Sequence, residues 1–130
     1  MPVGANVFQW TITNGACGST NDQATVLVYD VNNPVANAGP DQSLCSPASS
    51  TIMAGSSLIF PATGTWTRTS GSATITNPSS PTTTITGLAI GTNVFRWTVN
   101  NGPCGAVTFD EVTILVFNGA AATAAAGPDQ

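Results

Sequence analysis

The chain has 130 residues and carries few charges, with two basic side chains, six acidic ones and no histidine. Proteins that bind nucleic acid hold phosphates with clustered lysine and arginine, and Arg68 and Arg96 are too few and too isolated for that role. Because proton transfer near neutral pH most often uses histidine and covalent amine chemistry uses lysine, their absence argues against an enzyme.

The first segment with a clear pattern is repeated later in the chain. It reads GANVFQWTITNGACG over 4–18, and GTNVFRWTVNNGPCG follows over 91–105, at an offset of 87 residues. A tryptophan falls on a tryptophan and a cysteine on a cysteine. After one inserted residue the match continues at an offset of 88, and AGPDQ begins at both Ala38 and Ala126. Chance does not align these features in register, so the pattern indicates a tandem repeat.

The repeat defines the expected domain organisation. Residues 1–37 are predicted to hold the last two strands and the linker of one repeat, 38–125 a complete repeat, and 126–130 the start of the next. The period is about 88 residues, a length that sustains a single sandwich domain. Neighbouring repeats of the same protein are therefore the first expected partners.

Within the complete repeat, segments rich in Thr, Val and Ile alternate with Gly, Pro, Asn and Ser, and none has the period of an amphipathic helix. This pattern predicts an all-β, immunoglobulin-like Greek-key sandwich. In chain order, the predicted strands are 42–45, 50–54, 57–60, 64–69, 73–76, 82–86, 93–99 and 110–117.

The strand over 93–99 shows the clearest alternation. Phe95, Trp97 and Val99 point to one face, which is predicted to line the core. Trp66 is expected to pack against Trp97 from the opposite sheet. The predicted core consists of Trp66, Phe95, Trp97, Val99, Ile114 and Val116.

The chain has three cysteines. Cys45 lies near the start of the complete repeat and Cys104 in its final hairpin turn, so we predict a disulfide between them. Cys17 corresponds to Cys104 and is then expected to pair with a cysteine of the preceding repeat. The alternative pairs Cys17 with Cys45 and links successive repeats. Zinc would require closely spaced cysteines or histidines, so no metal site is predicted at these residues.

Carboxylates at the ends of the repeat have two interpretations. Asp41 and Asp129 belong to the recurring AGPDQ, and Asp110 lies where the last strand begins. A calcium ion between repeats would need six to eight oxygen ligands, and few are available. The preferred interpretation is that Asp41 caps a turn after Pro40. No other cofactor is expected, and no spaced pair of acids suggests a catalytic site.

Three aromatic residues outside the predicted core are candidates for a sugar-binding platform. They are Tyr29, Phe60 and Phe109. Packing within the domain or between repeats is the preferred interpretation, and surface polysaccharide is kept as an alternative partner.

The sequence resembles a known family over essentially its whole length. The segments AGPDQSLC, GTWTRTSGSATITNPSSPTTTITGL and GTNVFRWTVNNGPC, followed by DEVTILV, are similar to repeats of the SprB-type gliding-motility adhesins of Bacteroidota. More loosely they resemble PKD-type domains of bacterial surface proteins. The resemblance implies export by the type IX secretion system and residence on the cell surface in a long filament.

The expected function is therefore a structural repeat of a secreted surface adhesin, used for attachment and gliding. One alternative is a glycan-binding or spacer module of a secreted enzyme, and another is a fibre of copies completed by one another's strands. No run of 18 apolar residues and no basic region followed by an apolar stretch occurs, so neither membrane insertion nor a signal peptide is expected here.

Overall fold

A two-stranded hairpin and a two-sheet sandwich follow one another along the chain in the computed structural model, which describes residues 1–120 and 124–128. In the hairpin, β1 (Gly4–Thr13) and β2 (Ser19–Val28) are joined by a short 3₁₀ helix, Gly15–Cys17. The sandwich contains β3 (Gln42–Cys45), β4 (Ser50–Ile52), β5 (Thr63–Ser70), β6 (Thr74–Ile75), β7 (Thr84–Thr86), β8 (Gly91–Asn100) and β9 (Thr108–Phe117). A second 3₁₀ helix, Gly102–Cys104, joins β8 to β9.

The sandwich has one sheet of four strands, in the order β3-β9-β8-β5, and one of three, in the order β4-β7-β6. Neighbouring strands are antiparallel except β3 and β9, which run parallel. The predicted all-β sandwich is confirmed. The strand predicted over 57–60 is absent, because Ile59 donates its N–H to Asn33 Oδ1 in the chain that enters the sandwich, and its carbonyl accepts from Ala62 in a turn.

The six predicted core residues are all buried and lie on three strands of the larger sheet. Trp66 and Trp97 are register partners on β5 and β8, with ring centroids 5.0 Å apart. The expectation that they face each other from opposite sheets is therefore wrong. The smaller sheet contributes Ile85 to the core, and the segment after β4 contributes Met53.

Strands β1 and β2 pair in the same register as β8 and β9. Trp10 lies opposite Asp22 in the hairpin, and Trp97 lies opposite Asp110 in the sandwich. The side chain of Trp97 is fully buried, whereas Trp10 is 72% exposed because no second sheet covers it. We call this uncovered surface the open face, and its large apolar residues are Phe8, Trp10, Ile12 and Val26.

Asparagine side chains show the same correspondence. Asn93 donates through Nδ2 to the carbonyls of Ala89 and Gly91, and Asn6 donates in the same way to Pro2 and Gly4. Each asparagine side chain thus bonds to the backbone two and four residues before it, where the chain enters the strand. The two hairpins match in local geometry as well as in sequence.

Candidate functional site at the junction of hairpin and sandwich

The segment from Tyr29 to Ala38 joins the hairpin to the sandwich and is hydrogen-bonded to the sandwich along its length. Near the end of this segment, the N–H of Asn37 donates to Ser56 Oγ, and the carbonyl of Asn37 accepts from the N–H of Ser56. Four further bonds are Asn101 Nδ2 to Asp30 O (2.8 Å), Ile59 N to Asn33 Oδ1 (2.7 Å), Ala36 N to Thr108 Oγ1 (2.9 Å) and Ala38 N to Asp110 Oδ2 (2.8 Å). Because donors and acceptors are spread over the whole segment, it is held as an ordered connector.

At the start of the junction, the ring of Tyr29 lies directly on Gly102. A Cβ atom at Gly102 would be 2.6 Å from the tyrosine ring, too close for any real contact. Gly102 also has a φ of +53°, in the left-handed region that favours glycine. Glycine is therefore required at this turn for two reasons, its backbone conformation and its closeness to the ring.

We expect Gly102→Ala to displace Tyr29 and loosen the junction. Gly15 is a matched control, because it has the same φ of +53° with no atom within 4 Å of an added Cβ. Both substitutions incur the left-handed backbone cost of about 1 kcal/mol, but only Gly102→Ala creates the clash. Amide hydrogen exchange and limited proteolysis of the segment 29–38 should therefore accelerate several-fold in Gly102→Ala alone.

The exchange rate of segment 29–38 in Gly102→Ala is compared with the rate in Gly15→Ala. Equal rates in the two variants would show that the contact between Tyr29 and Gly102 does not hold the junction.

The carboxylates of Asp41 and Asp110 each accept a backbone N–H. Asp110 Oδ2 accepts from Ala38 at 2.8 Å, and Asp41 Oδ1 accepts from Thr113 at 2.8 Å. Asp41 therefore bonds to β9 and extends the pairing between β3 and β9, where the sequence predicted a cap on its own turn. Asp129 lies outside the described residues. Within residues 1–120 and 124–128, no group of three His, Cys, Asp or Glu side chains is arranged to hold a metal ion.

The predicted disulfide between Cys45 and Cys104 is wrong in this structure, where all three cysteines are free thiols. Cys45 ends β3 beside Phe117, the last residue of β9, whereas Cys104 precedes the first residue of β9. The ten residues of β9 separate them by roughly 30 Å, and a disulfide requires Cα atoms within about 7 Å.

The alternative bridge between Cys17 and Cys45 is also not formed. Cys17 lies at the tip of the hairpin, and the whole of β2 separates it from the junction. Cys45 lies at the end of the sandwich away from that junction. The pairing of Cys17 with a cysteine of the preceding repeat stays a prediction.

The three candidate sugar-binding aromatics lie at separate places, each with its own neighbour. Tyr29 covers Gly102, and Phe60 approaches Gly4 at the base of the hairpin. Phe109 is exposed on the outer face of β9, with the guanidinium of Arg96 4.2 Å from its ring centroid. These contacts favour packing over a shared sugar platform.

Both arginines also have partners. Arg96 forms an ion pair of 2.9 Å with Glu111 on the neighbouring strand. Arg68 donates to the carbonyl of Ala73. Their contacts are local, and neither arginine takes part in the junction. No helix in the described ranges is long and apolar enough to span a membrane.

Among the junction residues, Tyr29 was predicted from the sequence as a packing aromatic, whereas Asn101 and Thr108 were missed. The repeat gives a further signal for Tyr29, because an aromatic residue stands at the end of the second strand in both hairpins, as Tyr29 just after β2 and as Phe117 in the last position of β9. The other two act through side-chain bonds to a backbone about 70 positions away, which no local pattern reveals.

No family model matches the chain. The chain is 35% identical over 108 residues to the Dyslexia-associated protein KIAA0319-like protein of Mus musculus, a match that covers 78% of this chain and 10% of the mouse protein. The chain thus spans about a tenth of the length of this curated relative.

Solved structures that are similar to this chain include two PKD domains. The solution structure of the PKD domain from KIAA 1837 protein has a TM-score of 0.58 and 30% identity, covering 69% of this chain and 92% of that one. The PKD domain (329–428) from human KIAA0319 has a TM-score of 0.54 and 18% identity, covering 73% of this chain and 86% of that one.

Proposed function

We propose, since the chain belongs to the PKD domain family, that it is a structural repeat of a long extracellular protein and has no catalytic role. More specifically, we propose a secreted bacterial surface adhesin of the SprB type, used for surface attachment and gliding. The family supports the module, and the segments from AGPDQSLC to DEVTILV support the adhesin. The lack of histidine and lysine supports a role outside catalysis.

The hydrogen-bonded junction is the observation that carries this proposal. The connector enters the sandwich at the end where Cys104 lies, and the chain leaves β9 at the opposite end. A module with its entry and exit at opposite ends extends an array when it is repeated. Because the connector is bonded to Asn101, Thr108 and Asp110, successive modules keep a fixed spacing.

Small-angle X-ray scattering tests this arrangement. We would compare the 130-residue chain with the same chain followed directly by a second copy of residues 43–130, which is seamless because AGPDQ ends the first copy. The maximum dimension should grow by about 30 to 40 Å, the length of strands of about ten residues plus a connector. If the chain with the second copy has the same maximum dimension as the original chain, the end-to-end arrangement of modules is wrong.

The open face of the hairpin favours a second candidate, a fibre in which copies complete one another. Its residues Phe8, Trp10 and Ile12 correspond to Phe95, Trp97 and Val99, which the sandwich buries. In a tandem array, the remaining strands of the same repeat cover this face. In a fibre, another copy covers it, and sedimentation of the 130-residue chain would show oligomers that grow with concentration. A strictly monomeric chain would exclude the fibre.

A further inference from the structure

We infer that successive repeats are joined by a disulfide between Cys45 of one repeat and the counterpart of Cys104 in the next repeat along the chain. This inference rests on the tandem arrangement proposed above. It replaces the bridge within a repeat, whose two sulfurs lie at opposite ends of β9.

Cys104 marks the end of the sandwich where the chain enters. Its Sγ lies 3.7 Å from the carbonyl oxygen of Tyr29, the first residue after β2. Cys104 also lines a cleft together with Val31, two residues further along the connector. The Cys104 thiol therefore lies beside the connector segment 29–31.

Cys45 marks the end where the chain leaves. It is the register partner of Phe117, and the N–H of the next residue, Ser46, donates to the Phe117 carbonyl at 2.9 Å. Gly119 follows Phe117 by two residues, and a Cβ atom placed on it would lie 3.4 Å from the sulfur of Cys45. The Cys45 thiol therefore lies beside segment 117–119.

The repeat superimposes these two segments. An offset of 88 residues carries Tyr29 onto Phe117 and Val31 onto Gly119. The next repeat should thus bring its counterpart of Cys104 beside segment 117–119, where Cys45 already lies. Both sulfurs then lie beside the same three-residue stretch of backbone, and a disulfide requires that their Cα atoms come within about 7 Å of each other.

Exposure at the exit agrees with this placement. Phe117 is 54% exposed, whereas its counterpart Tyr29 is partly covered because it lies on Gly102. Cys45 is exposed as well, whereas Cys104 is partly buried at its junction. The surface around Phe117 and Cys45 is therefore the surface on which the next turn of the Gly102–Cys104 type would lie.

Formation of the bond requires an oxidant. The two thiols lose two protons and two electrons as the S–S bond forms, and a small-molecule disulfide accepts them and is released as two thiols. Disulfides within proteins persist in the oxidising compartments that an exported protein is expected to enter. Each bridge would fasten a junction that hydrogen bonds alone hold in the reduced chain.

Disulfide mapping by mass spectrometry tests the inference. The 130-residue chain and its extension by residues 43–130 would be incubated in dilute solution with oxidised glutathione. We expect one bridge in the extended chain, from Cys45 of the first copy to Cys104 of the second. The original chain should form no internal disulfide. A bridge within one copy, a bridge from Cys17 to Cys45, or no bridge in the folded extended chain would overturn the inference.

Matched variants separate this result from non-specific oxidation. Cys45→Ser in the first copy should abolish the bridge, and the same change in the second copy should leave it intact. If the extended chain does not fold, mapping of the full-length secreted protein decides, because peptides such as NGACGST and NNGPCGAV identify their repeats. The maximum dimension of the reduced chain, measured by small-angle scattering, tests the extended arrangement separately. An extended array without bridges would therefore reject this inference alone.

Discussion

Replacing Trp97 with alanine is expected to lower the free energy of unfolding of the sandwich by about 3 to 5 kcal/mol, the usual cost of removing a fully buried large aromatic residue. The ring of Trp97 packs against Trp66 at 5.0 Å, and its Nε1 donates to Ser56 Oγ at 3.2 Å. Removing it leaves a cavity at the centre of the larger sheet. Urea unfolding followed by far-ultraviolet circular dichroism measures the loss.

The chain contains its own control for this substitution. Trp10 has the same place in the hairpin, opposite Asp22, but is 72% exposed. Trp10→Ala should change the free energy of unfolding by less than about 0.5 kcal/mol, as surface changes usually do. Equal losses at the two tryptophans would contradict this difference in burial, since they would mean that the open face is covered in solution.

Gly64→Ala is expected to cost about 2 to 3 kcal/mol, because the added methyl group overfills a packed core. A Cβ atom at Gly64 would lie 2.3 Å from the Trp97 ring and 3.0 Å from Leu58 Cδ1. The ring has little room to yield, since Trp66 and Ser56 hold it. Gly105 is the control, because nothing lies within 4 Å of its added Cβ and its φ of 172° is ordinary extended backbone.

A double-mutant cycle checks the cause of that loss. In the background of Trp97→Leu, the large ring is gone, and Gly64→Ala should then cost less than about 1 kcal/mol. If the two changes are additive, the strain arises elsewhere and the proposed contact with Trp97 is wrong. Urea unfolding of the four proteins gives the coupling free energy directly.

Alternation along the strands was sufficient to predict the fold class and the core. Phe95, Trp97 and Val99 recur every second residue, and side chains on a strand alternate between its faces. The sheet to which Trp66 belongs was not predictable in this way. Strand order depends on contacts between β5 and β8, which lie about 30 positions apart and leave no local pattern.

The prediction of a disulfide between Cys45 and Cys104 was wrong for a related reason. Cys45 and Cys104 stand near the two ends of the repeat in sequence, and proximity in space was inferred from that. Because β3 pairs in parallel with β9, its last residue lies next to the last residue of β9 and far from the turn that precedes it. Strand direction is a property of the whole sheet, and neither cysteine carries a sign of it.

The candidate site was predicted only in part. Asp110 and Asp41 were recognised as residues of interest, but their bonds to the N–H groups of Ala38 and Thr113 cross 72 positions of sequence. Composition limited the chemistry of the site, because a chain without histidine or lysine has few ways to hold or move a proton.

The parallel pairing of β3 and β9 determines how the sandwich resists a pulling force. Tension along the proposed array would draw the start of β3 one way and the end of β9 the other, parallel to both strands. The register pairs from Gln42 to Cys45, and the Asp41 bond to Thr113, are then loaded in shear and at the same time. Strands pulled apart from one end would lose their hydrogen bonds one at a time, so the parallel pairing suits the proposed filament, in which each sandwich must stay folded under tension.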